Sequence, residues 1–186
     1  MPSLAEINAL DRRAFTAALG HLFEHSPWVA DETWPRRPFS DAAVLHAGLC
    51  ATMRGADRSR QLALIKAHPD LAGRLAQQNQ LTAESAKEQA SAGLNRLSPE
   101  EMLLFQRLND DYRARFGFPF IICARLTARE AILVAMESRL ANAPEREFQT
   151  ALGEIEKIAR LRLDDHLLGV RPESNLWIQA AVFSPR

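Results

Sequence analysis

The stretch Lys66-Ala67-His68-Pro69-Asp70-Leu71-Ala72-Gly73 places a histidine directly before a proline, between two runs with helical spacing. Proline disfavours the right-handed helical conformation in the residue before it, so His68 is expected to leave the preceding helix and Pro69 to begin the next. An imidazole able to titrate near neutrality then stands at a corner, fixed by backbone. Asp70 falls in the expected first turn, where a carboxylate suits the positive helix end, and Gly73 lets backbone pack close behind it. General acid or base chemistry is what such a corner can do. The plainer alternative is a helix-terminal histidine bonded to a carbonyl.

A second group lies about one helix further on. Thr82 is expected to cap a helix to about Ser91, ended by Gly93, on which Ser85, Glu88 and Gln89 fall at i, i+3 and i+4. Ala83, Ala86 and Ala90 form a second stripe small enough to pack closely. The polar stripe offers a hydroxyl, a carboxylate and an amide, which can orient a histidine or hydrogen-bond a small polar ligand. It can equally be a solvated helix face. Arg160 and Arg162 sit on different faces of a later helix, and either could point inward toward an anion; both could also snorkel to solvent.

Other candidates are weaker. His21, Glu24 and His25 match the H-x-x-E-H pattern of one zinc-peptidase group, but no third ligand is identifiable and Leu22 and Phe23 fit a core helix. His46 and His166 read as surface or capping residues. No Gly-rich phosphate loop, nucleophile elbow or paired-cysteine metal site is present. Cys50 and Cys123, far apart and in apolar surroundings, read as reduced thiols in a core.

The elements that must position these groups are helical. Leu4, Ile7 and Leu10, then Phe15, Leu19, Leu22 and Phe23 after Asp11, predict two short helices. Residues 26–39 carry three prolines with Trp28 and Trp34, which predicts a loop pinned by its aromatics, with at most a turn of helix around 29–34. Ser40 is expected to cap a helix to about Arg54, and Asp57 another running to the His68 corner. From Asp70 a short helix is expected to about Gln78. Ser98-Pro99-Glu100-Glu101 is a capping box with proline at the first helical position, opening a long helix to about Arg115. Residues 117–123, apolar and aromatic with Gly117 and Pro119, predict a buried loop, a short strand being the alternative. Thr127 with Glu130 predicts another capped start, and Pro144 the last long helix, stopped near Leu168 by Gly169.

The expected fold is therefore all-α, a single-domain bundle of about eight to ten helices over residues 1–169, with a C-terminal tail at 170–186 of unclear role. The whole chain of 186 residues is long enough to bury a proper core. Lys plus Arg and Asp plus Glu each total 23, so the formal charge is zero and no basic face invites nucleic acid. No run approaches a membrane span and the start carries no signal-peptide apolar region, which predicts a cytoplasmic protein.

Taken in order, several blocks resemble the 2-oxo-4-hydroxy-4-carboxy-5-ureidoimidazoline (OHCU) decarboxylases of urate degradation. They are Ser26-Pro27-Trp28-Val29-Ala30, Arg37-Pro38-Phe39, Leu64 to Ala72, Ser85 with Glu88-Gln89, Ala92-Gly93-Leu94, Leu108-Asn109, Tyr112, Phe116 to Ile121, and the run from Glu154-Ile155 to Arg162-Leu163. The resemblance implies an all-helical, cofactor-free enzyme without a metal, converting OHCU to (S)-allantoin and carbon dioxide. It implies that His68 is catalytic with Glu88 as its acidic partner, that Pro69 fixes the histidine, and that Ser85, Gln89 and Arg162 bind substrate. The backbone of Phe120, Ile121 and Ile122 would line the pocket, and a homodimer is compatible with the family. In OHCU the carboxylate leaves a carbon that also bears a hydroxyl, beside an imine carbon that accepts the electron pair, so the substrate supplies its own sink. His68, oriented by Glu88, would serve as base toward the hydroxyl or as acid toward the imine carbon, while Arg162 and Gln89 hold the ring. Two other readings remain: a helical binding protein using an exposed 116–122 loop, and a metallohydrolase built on His21 and His25.

Overall fold

The computed structural model describes residues 1–73, 78 and 80–167. Among these residues there are nine α-helices and three short 3₁₀ turns, with no strand. The helices are α1 (Leu4–Ala9), α2 (Arg12–Leu19), α3 (Trp28–Thr33), α4 (Ala42–Gly55), α5 (Arg58–Ala67), α6 (Ala83–Ser91), α7 (Pro99–Phe116), α8 (Arg129–Arg139) and α9 (Pro144–His166). The expected tail, the stop at Gly169 and residues 74–77 of the helix expected from Asp70 to Gln78 lie outside the described residues.

Start signals explain most boundaries. Asp11, Asp57 and Thr82 each accept a backbone N–H from the first turn of α2, α5 and α6, and Ser98 closes a reciprocal capping box with Glu101 on α7. Two caps differ from expectation. Asp41 rather than Ser40 accepts from Val44 N, because a carboxylate one residue closer reaches the first-turn donors. At α8 the cap position is Ala128, and the Thr127 hydroxyl donates instead to the Cys123 carbonyl at 3.1 Å, tying the helix start to the preceding loop. α7 ends at Gly117, whose φ of +74° is the left-handed conformation a helix terminator needs.

α9 is the element on which the others converge, packing on α4, α5 and the 3₁₀ turn Gly20–Leu22. Its inward stripe runs through Phe148, Ala151, Leu152, Ile155, Ile158 and Ala159, all buried, and one more step of i+3 or i+4 reaches Arg162. The 26–39 segment holds α3 and a 3₁₀ turn, more helix than its prolines suggest, and is pinned as expected. Arg37 lies 4.2 Å over the Trp34 ring and donates to the carbonyls of Asn8 and Leu10.

The loop 117–123 is buried, with Phe118, Phe120, Ile121 and Cys123 all in the core. Arg139 of α8 donates to the Ile121 carbonyl at 2.9 Å, and Cys123 N donates to the Glu154 carboxylate of α9 at 2.8 Å. Being buried, it gives no exposed apolar surface for the binding-protein reading.

Candidate functional site

His68 closes α5 with extended backbone (φ −73°, ψ 138°), as the following proline demands. Pro69 does not begin a helix. Residues 69–73 instead form turns, with Gly73 N bonded to the Asp70 carbonyl at 3.4 Å and Ala72 at a φ of +50°. The amide of Gln89 explains the departure, because Oε1 accepts from Ala72 N at 2.9 Å while Nε2 donates to the Asp70 carbonyl at 3.3 Å. Asn109 adds a bond from Nδ2 to the Leu71 carbonyl at 2.9 Å, and Asp70 pairs with Arg113 of α7 rather than with a helix end. A Cβ on Gly73 would lie 2.7 Å from the Cβ of Asp70, so the close approach expected behind the corner is real.

The imidazole of His68 is buried, and its Nδ1 sits 3.0 Å from the Leu64 carbonyl. A carbonyl only accepts, so Nδ1 carries the ring proton and Nε2 keeps a lone pair. Burial lowers the pKa of His68 to about 4, against the opposing pull of that backbone bond and of Glu24. At neutral pH the ring is therefore uncharged and poised to accept a proton at Nε2. The plain alternative of a carbonyl-bonded helix-terminal histidine describes one nitrogen only, and the other is left for chemistry.

The polar stripe of α6 is not a solvated face. Ser85 and Gln89 are buried, Glu88 is half-buried, and Ala83 and Ala86 face out. The polar stripe turns inward because it meets a guanidinium there. Arg162 Nε donates to Glu88 Oε1 at 2.7 Å, and Nη2 donates to Glu88 Oε2 at 2.8 Å and to Glu24 Oε2 at 3.0 Å. Burial opposes the charge of Arg162, but these two carboxylates hold its pKa above the ordinary value. Arg160 instead pairs with Asp164 one turn on, which resolves the choice between the two arginines in favour of Arg162 as the buried one.

His68, Pro69, Ser85, Glu88, Gln89, Phe120, Ile121 and Ile122 line a single cleft with about 370 Å³ of empty space, part of it open to solvent. Leu71, Ala124 and Ile158 complete its apolar side. The group expected from sequence is thus brought together except for Arg162, which stands behind Ser85 and Glu88 and faces a second cavity with His21, Lys87, Arg125 and His166. Glu88 borders both spaces and divides them. Glu88 also does not orient His68, since its side-chain bonds go to Arg162 and the imidazole is held by Leu64. Ile121 and Ile122, on the opposite wall, have backbone N–H groups with no hydrogen-bond partner among the described residues.

Sequence reasoning missed the place of Glu24. It is buried, accepts from Thr82 Oγ1 at 2.9 Å and Ser85 Oγ at 3.1 Å, and shares Arg162 with Glu88. Burial would raise its pKa, but Arg162 and the Thr82 hydroxyl outweigh that and hold it low. Its partners are distant in sequence, and the H-x-x-E-H pattern pointed elsewhere. That pattern does not assemble: His25 is largely solvent-exposed at a φ of +45°, and His21 stacks on His166 at 5.0 Å. Among the described residues no cluster of His, Cys, Asp and Glu has the arrangement of a metal site. Cys50 and Cys123 are free thiols, each pushed up by burial to about 12, and neither borders the cleft.

A helical bundle that presents a neutral imidazole across a small cleft from a hydroxyl, an amide and a guanidinium-bound carboxylate has the outfit of a proton-transferring enzyme for a small polar molecule. The model of the OHCU decarboxylase family matches residues 8–164, and the chain belongs to that family. It is 44% identical to the 2-oxo-4-hydroxy-4-carboxy-5-ureidoimidazoline decarboxylase of Halalkalicoccus jeotgali, over 88% of this chain and 90% of that one. It is 43% identical to the protein of the same name from Mus musculus, over 92% of this chain and 96% of that one. Among solved structures it superposes on an (S)-allantoin synthase with a TM-score of 0.73 at 26% identity, covering 90% of this chain and 54% of the other.

Proposed function

We propose that the chain decarboxylates OHCU to (S)-allantoin in urate degradation, with His68 as the general base. The observation that carries the assignment of roles is the Nδ1 bond to Leu64, which leaves an unprotonated Nε2 on the wall of the cleft shared with Glu88 and Gln89. OHCU bears its hydroxyl and carboxylate on one ring carbon. Nε2 accepts the hydroxyl proton as the carbon–carbon bond to the carboxylate breaks, CO₂ departs, and the electron pair passes to the neighbouring imine. The imine carbon then takes up a proton on the face turned toward the histidine, which fixes one enantiomer.

The walls divide the remaining work. The apolar side made by Phe120, Ile122 and Ile158 keeps water from the breaking bond, while the free N–H groups of Ile121 and Ile122 can receive an anionic oxygen. Gln89 fixes the corner that carries His68 and has one amide hydrogen left for substrate. Arg162 acts from behind, through Glu88 and Ser85. The chain's own groups and the substrate's imine suffice for this sequence of steps, so the reading requires no cofactor. The same reading has the enzyme at work in the cytoplasm, free of nucleic acid and membrane, and compatible with a homodimer; among the described residues no helix is long and apolar enough to cross a membrane.

Because OHCU loses CO₂ slowly by itself and gives racemic allantoin, the test is chirality. Freshly generated OHCU mixed with the protein should develop the circular dichroism of one enantiomer, and with His68→Ala it should not. Product that stays racemic with the unaltered protein would refute the assignment.

A further inference from the structure

The cleft's acidic wall holds two carboxylates and one guanidinium, an unequal sharing that the decarboxylation alone does not explain. Glu24 is saturated: the hydroxyls of Thr82 and Ser85 and the Nη2 of Arg162 all donate to it, and its side chain is only 3% exposed. Glu88 accepts from Arg162 alone, is 12% exposed, and is the one of the two that borders the cleft. Two carboxylates in such different surroundings are suited to different work.

We infer that Glu24 is a positioning residue that serves as the standing counter-ion of Arg162, and so leaves Glu88 free to let go of the guanidinium and carry a proton to the substrate. The inference rests on the reading of the cleft as a decarboxylation site. The proton balance shows why such a carrier is useful. A carboxylate that leaves as CO₂ abandons an electron pair, and that pair takes up one proton, so each turnover consumes a proton beyond the one His68 returns. Glu88 borders both the reaction cleft and the outer cavity, which makes it a route for this second proton from solvent to the imine nitrogen, the imine carbon taking the one that His68 returns.

Other charges around the pair do not supply the missing counter-ion. Lys87 and Arg125 are both bonded to Asp165, and His68 is neutral near pH 7. His25 Nε2 lies 3.9 Å from Glu24 and is mostly exposed. His21, beside Arg162 and Glu84, has its pKa lowered by burial and is uncharged in the same range. With Glu24 made neutral, Arg162 would have Glu88 as its sole carboxylate and would hold it more tightly.

Glu24→Gln tests this in the full chain with OHCU as substrate, reading (S)-allantoin by circular dichroism between pH 5 and 9. The expected result is a kcat lowered by about tenfold or more at neutral pH, little change in KM, and an alkaline limb of kcat displaced to lower pH. Glu24→Asp keeps the charge and should keep the limb in place, even where kcat falls. An unmoved limb in Glu24→Gln, or equal displacement in both variants, overturns the role of Glu24. Should Glu24→Gln fail to fold, Glu24→Asp decides alone, a displaced limb counting against the inference and an unmoved one for it. The unaltered protein and His68→Ala run in parallel separate the levels: if the unaltered protein gives only racemic product the decarboxylation reading itself fails, if His68→Ala stays fully active the role of His68 fails, and an active unaltered protein beside an unmoved Glu24→Gln limb removes only the inference.

Discussion

Two buried charged clusters lie in this bundle, and they are built on opposite principles. In one, Glu147 of α9 accepts from Tyr112, Arg139 and Asn142, with Arg139 also reaching the Ile121 carbonyl. One carboxylate meets one guanidinium, every oxygen is satisfied, and Glu147 has no exposed surface. In the other, Glu24 and Glu88 share Arg162 beside His68 and open onto a cleft. The first cluster is balanced and fixes the loop that forms the cleft's apolar wall. The second carries one more carboxylate than guanidinium and borders the cleft in which we propose that the reaction takes place. Burial of charge is common to both, and the imbalance together with the open cleft marks the second as the candidate for chemistry.

The contrast can be broken most directly at His68. Replacing it with alanine should lower the rate of (S)-allantoin formation by about 10²- to 10⁴-fold, with the far-ultraviolet dichroism and the melting temperature little changed. A loss under about tenfold would move His68 into the structural category. Glu147→Gln should do the reverse. It leaves Arg139 buried without its carboxylate and should cost about 3–5 kcal/mol in urea unfolding, while the pH dependence of the residual activity stays where it was. A displaced pH profile in that variant would erase the distinction between the clusters.

A smaller effect follows from the burial of His68. Its folded-state pKa of about 4 lies below the ordinary 6.5, so as pH falls the unfolded chain takes up the proton first. The stability linked to the neutral ring is complete above about pH 6.5 and is lost between there and about pH 4. Unfolding at pH 7, 5.5 and 4 should show a steeper decline for the unaltered protein than for His68→Gln, and parallel declines would refute the shift. The activity of the unaltered enzyme should show no acid limb from His68 until pH approaches 4. Smallest of all is Asp70→Asn, which removes a partly exposed pair with Arg113 and should cost no more than about 1 kcal/mol, with a modest rise in KM as the corner loosens.

Much of this arrangement was legible in the residues. Single capping residues marked α5 and α6, a capping box with proline marked α7 and a proline marked α9, and the His68-Pro69 step predicted the extended backbone that presents the imidazole. The residues left Arg160 and Arg162 as alternatives, and the register of the apolar stripe of α9 in the structure buries Arg162. What the sequence could not show was which way α6 faces. The residues left open whether the polar stripe faces a site or solvent, and only the partner guanidinium on α9, many residues away, decides it. The turn at 69–73 was hidden for the same reason, because local proline chemistry favours a helix start and the amide of Gln89 overrides it. Glu24 was hidden by non-local contacts too, with its partners drawn from α6 and α9.

α6 buries little apolar surface: among its residues Ser85 and Gln89 are the buried ones, and its bonds to the rest of the molecule run through Arg162, Glu24, Asp165 and the 70–72 turn. Without those contacts a helix of nine residues is too short to persist in water. Assembly of the reactive wall and local folding of this segment are therefore one equilibrium, and it belongs to the weakly held end of the molecule rather than to the core around α9. A substrate that occupies the cleft stabilises this helix by mass action, so the enzyme is most completely folded when it has something to do.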